Sequence, residues 1–150
     1  AAQLLIIGRG KTEEKLIRLA ASLGISSNVF FIPETQDTAS ALAAMDIFVM
    51  SSLAEGLGLA LMEAMASARA VVASGVGGIK TLIQHGRNGL LVEPADNNGL
   101  ARAILTLLDD PSKRAALGRE AQGFIQQNFS QEKMVLETEK EYLRCLGVKD

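Results

Sequence analysis

The chain has little of what several functional classes require. Its 150 residues include one cysteine, Cys145, and one histidine, His85. One cysteine cannot close an internal disulfide, and with a single histidine it cannot assemble a Cys/His zinc cluster. The expectation is therefore a reducing, cytoplasmic setting, with no metal and no cofactor. Basic residues are not in excess either: 15 Lys and Arg stand against 17 Asp and Glu, for a net charge of -2 and a pI near 5.5. No Lys/Arg cluster offers the surface that nucleic acid would be drawn to, so nucleic acid is not an expected partner. No apolar run approaches the ~20 residues that span a bilayer, and no basic-then-apolar leader opens the chain. Low-complexity linkers and short-period repeats are missing too.

What is present is a regular alternation in a composition 48% hydrophobic and 21% charged, enough for one soluble domain with a substantial core. QLLIIG (3–8), VFFI (29–32), DIFVM (46–50), AVVAS (70–74) and GLLVEP (89–94) read as buried strands. Each is a continuous apolar run, the pattern of parallel sheets covered on both faces. Between them helices are expected over 12–23 (Thr12 as cap, Gly24 as stop), 37–45, 58–68, 78–85 (Gly86 as stop) and 96–109 (Asp96 as cap). The repetition implies right-handed crossovers and an α/β fold, a doubly wound, Rossmann-like parallel sheet of about five strands with flanking helices. After Pro111 come two helical stretches, 111–128 and 130–146, the second capped by Ser130. Met134, Val135, Leu143 and Leu146 of the last helix are expected to form a packing face. The whole chain reads as a single lobe, with a strand-helix core over about 3–109 and C-terminal helices over about 111–146.

In such sheets ligands bind outside the carboxyl ends of the strands. The loops there are GRGKT, PETQD, SSLAEGLG and GVGG. IIGRGKT leads from a strand into Gly-Lys-Thr, but the glycine a phosphate loop needs five residues before Gly10 is Leu5. Gly8 leaves only Arg9 in between, too short to wrap phosphates with backbone amides. SGVGGIK lacks the third glycine of a dinucleotide fingerprint, because Lys80 stands there. Both loops keep a lesser reading, as glycines that let a ligand approach the backbone. His85, beside Gly86, reads as the dipole partner of a helix C-terminus. No Ser/His/Asp or Cys/His catalytic arrangement can be assembled.

Glu63 raises the sharpest question. From Leu57 to Ala68 it stands alone among Leu, Ala, Met, Gly and Ser, and no Lys or Arg occurs from Ile47 to Ala68. A helix this apolar all round is normally buried, and burying an unpaired carboxylate is costly. Glu63 is therefore expected either to look into a polar cleft or to be held by a group outside its segment. Glu55 has two readings. Ser52-Leu53-Ala54-Glu55 matches a capping box. Gly56 and Gly58 would weaken a first helical turn there by about 1 kcal/mol each. A start nearer Gly58 leaves Glu55 in the loop, with the amides of 56–59 free for an anion. Glu63 would then lie about 7 to 8 Å along the helix.

Taken together, GRG after a strand and AAMDIFVMSSLAEGLGLALMEAMASARAVVASGVGGIKTLIQHGRNGLLVEPAD resemble the C-terminal half of retaining glycosyltransferases of family four (group 1), which have the two-lobed GT-B fold. The likeness runs from about residue 3 to 109, and Glu55-x7-Glu63 is its strongest element. It implies a nucleotide diphosphate sugar as donor. Glu55 would contact the sugar as the catalytic carboxylate, the backbone of Gly56, Leu57, Gly58 and Leu59 would hold diphosphate and sugar, and Glu63 would take the ribose hydroxyls. The base would lie against Gly8, Arg9 and Gly10 and the Pro33–Thr35 loop, with Thr35 a donor contact. It also implies an N-terminal acceptor lobe absent from this chain, a lipid or polysaccharide acceptor of the cell envelope, and a cytoplasmic enzyme peripheral to the membrane through that lobe.

Two departures stand out: Ser67-Ala68-Arg69-Ala70 replaces the usual Cys-Gly-x-Pro, and Thr81 the usual Glu. The Arg and Lys that the family brings to the diphosphate belong just upstream of residue 1, so an isolated lobe is expected to be inactive. The alternative is a non-catalytic α/β nucleotide- or sugar-phosphate-binding module. A flavodoxin-like regulatory domain is disfavoured, because no phosphoacceptor-like acidic cluster marks the strand ends.

Overall fold

A computed structural model of the chain describes residues 2–147. In chain order the elements are β1 (Leu4–Ile7), α1 (Glu13–Ser22), a 3-10 turn (Ser26–Asn28), β2 (Val29–Ile32), α2 (Thr38–Ala43), β3 (Ile47–Met50), α3 (Leu59–Ala66), β4 (Ala70–Ser74), α4 (Ile79–Leu82), β5 (Leu90–Val92), α5 (Asn97–Asp109), α6 (Pro111–Asn128) and α7 (Gln131–Cys145). The α/β reading holds, with every expected strand and helix formed. All strand pairs are parallel, in one sheet of β1-β2 and another of order β3-β4-β5. The chain divides between Ala41 and Leu42 into two units, one around each sheet.

In the first unit Leu4 to Ile7 pair with Val29 to Ile32, and the Gly8 amide extends the ladder to the Ile32 carbonyl at 2.9 Å. Thr12 occupies the cap position of α1 without capping it: its backbone is already helical (φ -96°, ψ -4°) and its side chain accepts no cap hydrogen bond. A capping side chain normally needs an extended backbone there. Asp37 does cap, accepting from the Ser40 amide at 2.9 Å. The Ser40 hydroxyl, and then its amide, hold the Asp37 carboxyl below its ordinary range.

In the second unit β4 is central and buried at every residue. Val71 and Ala73 face a core with Leu61, Met65, Leu82 and Ile125. Ala70 and Val72 face another with Leu90, Leu107 and Leu117. Alternate side chains of one strand thus fill both layers, which is why AVVAS contains no polar residue before Ser74. Helix caps fix the flanking layers: Asp96 accepts from the Gly99 amide at 2.8 Å, Asp110 from Lys113 at 2.9 Å and Ser130 from Lys133 at 3.2 Å.

The α3–β4 turn is clasped from two sides. The Arg69 guanidinium donates to the carbonyls of Ser67 at 2.9 Å, Ala43 at 3.3 Å and Met45 at 2.9 Å. Gly118 of α6 lies so close that a β carbon there would overlap the Ala68 carbonyl. Ala68 itself, at the position where the family pattern has glycine, adopts φ 56°.

Further expectations are corrected in the second unit. Helix α4 spans Ile79–Leu82 rather than 78–85. Buried Asn88 accepts from the Gln84 amide at 2.7 Å and donates to the Leu82 carbonyl at 3.0 Å, taking the groups that would have prolonged the helix. His85 consequently lies beyond the helix end, and its Nδ1 accepts from the Leu91 amide at 3.1 Å instead of meeting a helix dipole. Helix α7 has no buried residue. Met134, Val135 and Leu146 are exposed and Leu143 is half-buried. An amphipathic stripe specifies a face, but a partner surface must be left over to cover it. Among the described residues no helix is long and apolar enough to cross a membrane.

Candidate functional site

The loop 51–58 leaves the carboxyl end of β3 and enters α3. Helix α3 begins at Leu59 with Gly58 as its cap residue, left-handed at φ 73°. That conformation is what favours glycine there; a β carbon on Gly58 would make only ordinary contacts, 3.5 Å from Glu55 Cγ and 3.6 Å from Met50 Sδ. Glu55 is thereby left in the loop, and the capping-box reading fails. A capping-box serine accepts from a helical amide, whereas the Ser52 hydroxyl donates to Glu55 Oε2 at 3.3 Å. At the head of α3 the amides of Leu59, Ala60 and Leu61 meet no acceptor among the described residues. Such first-turn amides carry partial positive charge and favour an anion.

Glu63 is not buried. Leu61, Ala64 and Met65 turn inward, while Leu59 is 72% exposed and Ala60 and Glu63 lie on the open side. The Glu63 carboxylate has no ion-pair or side-chain hydrogen-bond partner among the described residues. Its isolation in an apolar run is solved by exposure of one helix face, one turn along from the free amides. The second unit thus brings Glu55, Gly56, Leu57, Gly58, Leu59 and Glu63 together around the start of one helix.

The other expected residues belong to the first unit. Gly8 has φ 129°, and with Arg9, Gly10, Thr12 and Phe31 it lines a cavity of about 210 Å³. The Thr35 hydroxyl accepts from the Asp37 amide at 3.2 Å.

A sequence profile for the family described as "Glycosyl transferases group 1" matches residues 1–110. The chain belongs to the group 1 glycosyl transferases. It is 34% identical over 145 residues to an N-acetyl-alpha-D-glucosaminyl L-malate synthase of Bacillus anthracis, covering 97% of this chain and 38% of that protein. It is 39% identical over 142 residues to a GDP-mannose-dependent monoacylated alpha-(1-6)-phosphatidylinositol monomannoside mannosyltransferase of Corynebacterium glutamicum, covering 89% of this chain and 36% of that protein. Among solved structures it is similar to Alr3699/HepE of Anabaena in complex with UDP, at a TM-score of 0.86 and 28% identity over 93% of this chain and 41% of that one. The group 1 chain therefore spans about two fifths of the length of these relatives.

Sequence reading assigned the GVGG loop of this group 1 chain to ligand approach, but its last two glycines serve the protein itself. The Gly78 amide donates to the Gly56 carbonyl at 2.9 Å. β carbons on Gly77 and Gly78 would overlap the carbonyls of Glu55 and Gly56. The adjacent glycines at a strand end were the available signal, since neither Gly-rich fingerprint accounted for them. Arg69 and Asn88 were missed as well, because their partners are carbonyls and amides invisible in side-chain patterns. Among the described residues no three His, Cys, Asp or Glu side chains gather to hold a metal ion.

Proposed function

We propose that this chain is the donor-binding lobe of a retaining family-four glycosyltransferase with the GT-B fold, which moves a sugar from a nucleotide diphosphate sugar to an acceptor. The observation that carries the reading is the placement of Glu55 in the loop, just before a helix whose leading amides have no acceptor among the described residues. In this reading the Glu55 carboxylate holds a sugar hydroxyl as the catalytic residue. The amides of Gly56, Leu57, Gly58 and Leu59 receive the diphosphate, and Glu63 takes the ribose hydroxyls. As the bond to the sugar breaks, negative charge grows on the leaving diphosphate, where fixed backbone dipoles stabilise it without reorganising. No metal enters that chemistry. Donor roles for Gly8, Arg9, Gly10 and Thr35 rest on the family resemblance alone.

Support for the nucleotide comes from the UDP complex of the Anabaena relative and from the GDP-mannose dependence of the Corynebacterium one. A further lobe of the full-length protein completes the enzyme in this proposal. It supplies the acceptor site, for a lipid or polysaccharide of the cell envelope, and holds a cytoplasmic protein at the membrane. The lobe described above is then inactive alone.

The deciding experiment is Glu55→Gln in the full-length protein. A carboxylate that grips the sugar most tightly in the transition state should, when neutralised, lower kcat more than it raises KM. Losing one charge-assisted hydrogen bond costs about 1.5–3 kcal/mol, roughly ten- to over a hundredfold in rate. Unchanged kinetics with an intact fold would remove Glu55 from the chemistry, whereas a full-length protein that binds a sugar nucleotide and transfers nothing would favour a non-catalytic sugar-phosphate-binding module.

A further inference from the structure

Gly77 and Gly78 follow β4, whereas Glu55 and Gly56 follow β3, and β3 and β4 are neighbours in one sheet. Their loops meet backbone to backbone. The Gly78 amide donates to the Gly56 carbonyl at 2.9 Å. Gly77, at φ 44°, sits where a β carbon would overlap the Glu55 carbonyl, and one on Gly78 would overlap the Gly56 carbonyl. Carbonyls of a short loop cannot swing aside as the tip of a flexible side chain can, so any side chain at 77 or 78 has to push loop 55–57 away.

Gly56 needs such a brace. A β carbon on it would meet nothing within 4 Å, and its carbonyl has the Gly78 amide as its hydrogen-bond donor. With no side chain to restrict it, Gly56 has wide intrinsic backbone freedom. Strand β4, buried at every residue, is the rigid body from which the brace extends.

We propose that Gly77 and Gly78 are positioning residues that hold the Glu55–Gly56 backbone, so that the Glu55 carboxylate and the amides after it present one fixed surface to the diphosphate and sugar of the donor. The inference rests on the function proposed above. It deepens that reading by making donor affinity and turnover depend on residues that touch no ligand, because displacement of a reacting group by about 1 Å can cost on the order of a hundredfold.

The test compares Gly78→Ala and Gly77→Ala in the full-length protein with Gly123→Ala, a site on α6 where an added β carbon meets nothing within 4 Å. Thermal unfolding, kcat, and affinity for whichever of UDP-glucose or GDP-mannose the wild type binds are read beside affinity for UMP or GMP, which lack the second phosphate and the sugar. The expected result for Gly78→Ala is a loss of about ten- to a hundredfold in kcat and donor affinity, with mononucleotide affinity within about threefold of wild type and cooperative unfolding retained. Gly123→Ala should match wild type in kcat and in both affinities, and unfold no earlier than wild type. A folded Gly78→Ala with wild-type kcat and affinity overturns the proposal, as does an equal loss for donor and mononucleotide, which would be general damage.

Should neither variant fold, the unaltered protein decides by residue-resolved amide exchange. The Gly78 amide should exchange more slowly than that of Gly77, and donor binding should slow Gly78 together with Leu57–Leu59. Protection of Leu57–Leu59 without Gly78 would overturn the inference. Failure of the wild type to bind either donor would overturn the nucleotide-sugar reading and this inference with it, whereas wild-type binding with a silent Gly78→Ala removes only the positioning role.

Discussion

The sheet of the second unit is covered on both faces, while that of the first is thinly covered. AVVAS of β4 is buried throughout. Leu4 of β1 is 49% exposed and Phe30 of β2 is 45% exposed, although LLII and VFFI are as apolar as AVVAS. Among the described residues Ala20 is the one buried apolar residue of the first unit. The difference lies in neighbours. β4 has a strand on each side and a core on each face, whereas the sheet within the first unit has two strands, β1 and β2. An apolar run marks a strand, but how deeply it is buried depends on what the rest of the chain lays over it.

The strongest test of that contrast is paired truncation. Leu61→Ala removes a side chain with no exposure from the second core and should cost about 2–5 kcal/mol in urea unfolding. Leu19→Ala, on a half-exposed side chain of α1, should cost under about 1 kcal/mol. Equal losses would mean that the first unit is as tightly packed as the second.

Two glycines of α6 sharpen the picture within the second unit. Gly118→Ala would drive a β carbon into the Ala68 carbonyl and should destabilise by about 1–3 kcal/mol. Gly123→Ala, in open space on the same helix, should stabilise by about 0.5–1 kcal/mol. Melting curves that move in the same direction would break the argument from close approach. Ala68→Gly comes next: relieving a left-handed alanine at φ 56° should raise stability by about 1 kcal/mol, less what the added freedom of the unfolded chain takes back.

Glu63→Ala should leave the unfolding free energy of the full-length protein within about 0.5 kcal/mol of wild type, since the side chain is exposed. A large loss of stability without ligand would show that Glu63 serves the fold rather than the donor. The smallest effect is expected in acid. The Asp37 carboxyl is held below its ordinary 3.8 by the Ser40 hydroxyl and amide. The Glu132 carboxyl is held below its ordinary 4.5 by its own amide and by the Ser130 hydroxyl. For a depressed carboxyl the stabilisation is complete above the unfolded value and disappears as pH falls through the folded one. The first turns of α2 and α7 should therefore fray only below about pH 4, and carboxyl titrations followed by NMR that gave midpoints at or above the ordinary values would contradict this.

Much of the candidate site was legible because its signals are local. A carboxylate followed by two glycines after an apolar strand, a second one eight residues on, and no cation nearby could be read from Glu55, Gly56, Gly58 and Glu63 and their surroundings. The start of α3 at Leu59 followed from glycine's poor fit in a first turn. The extent of α4 did not, because Asn88 reaches back from beyond the helix to claim the Gln84 amide and the Leu82 carbonyl. Thr12 had the right residue type for a cap and the wrong backbone for it.

By itself the sequence determined the alternation of strands and helices, the caps Asp96 and Ser130, the parallel α/β class and the strand end at which the candidate site lies. Those properties follow from periodicity and from side chains acting within about four residues of themselves. Tertiary structure alone decided that β4 is covered on both faces while β1 and β2 are not, that one face of α3 stays open and leaves Glu63 exposed, that α7 ends without cover, and that Gly77 and Gly78 brace the Glu55 loop. Each of these depends on which backbone or side-chain surface arrives from a distant part of the chain, and burial, close approach and hydrogen bonding are properties of such pairs of surfaces rather than of either sequence segment.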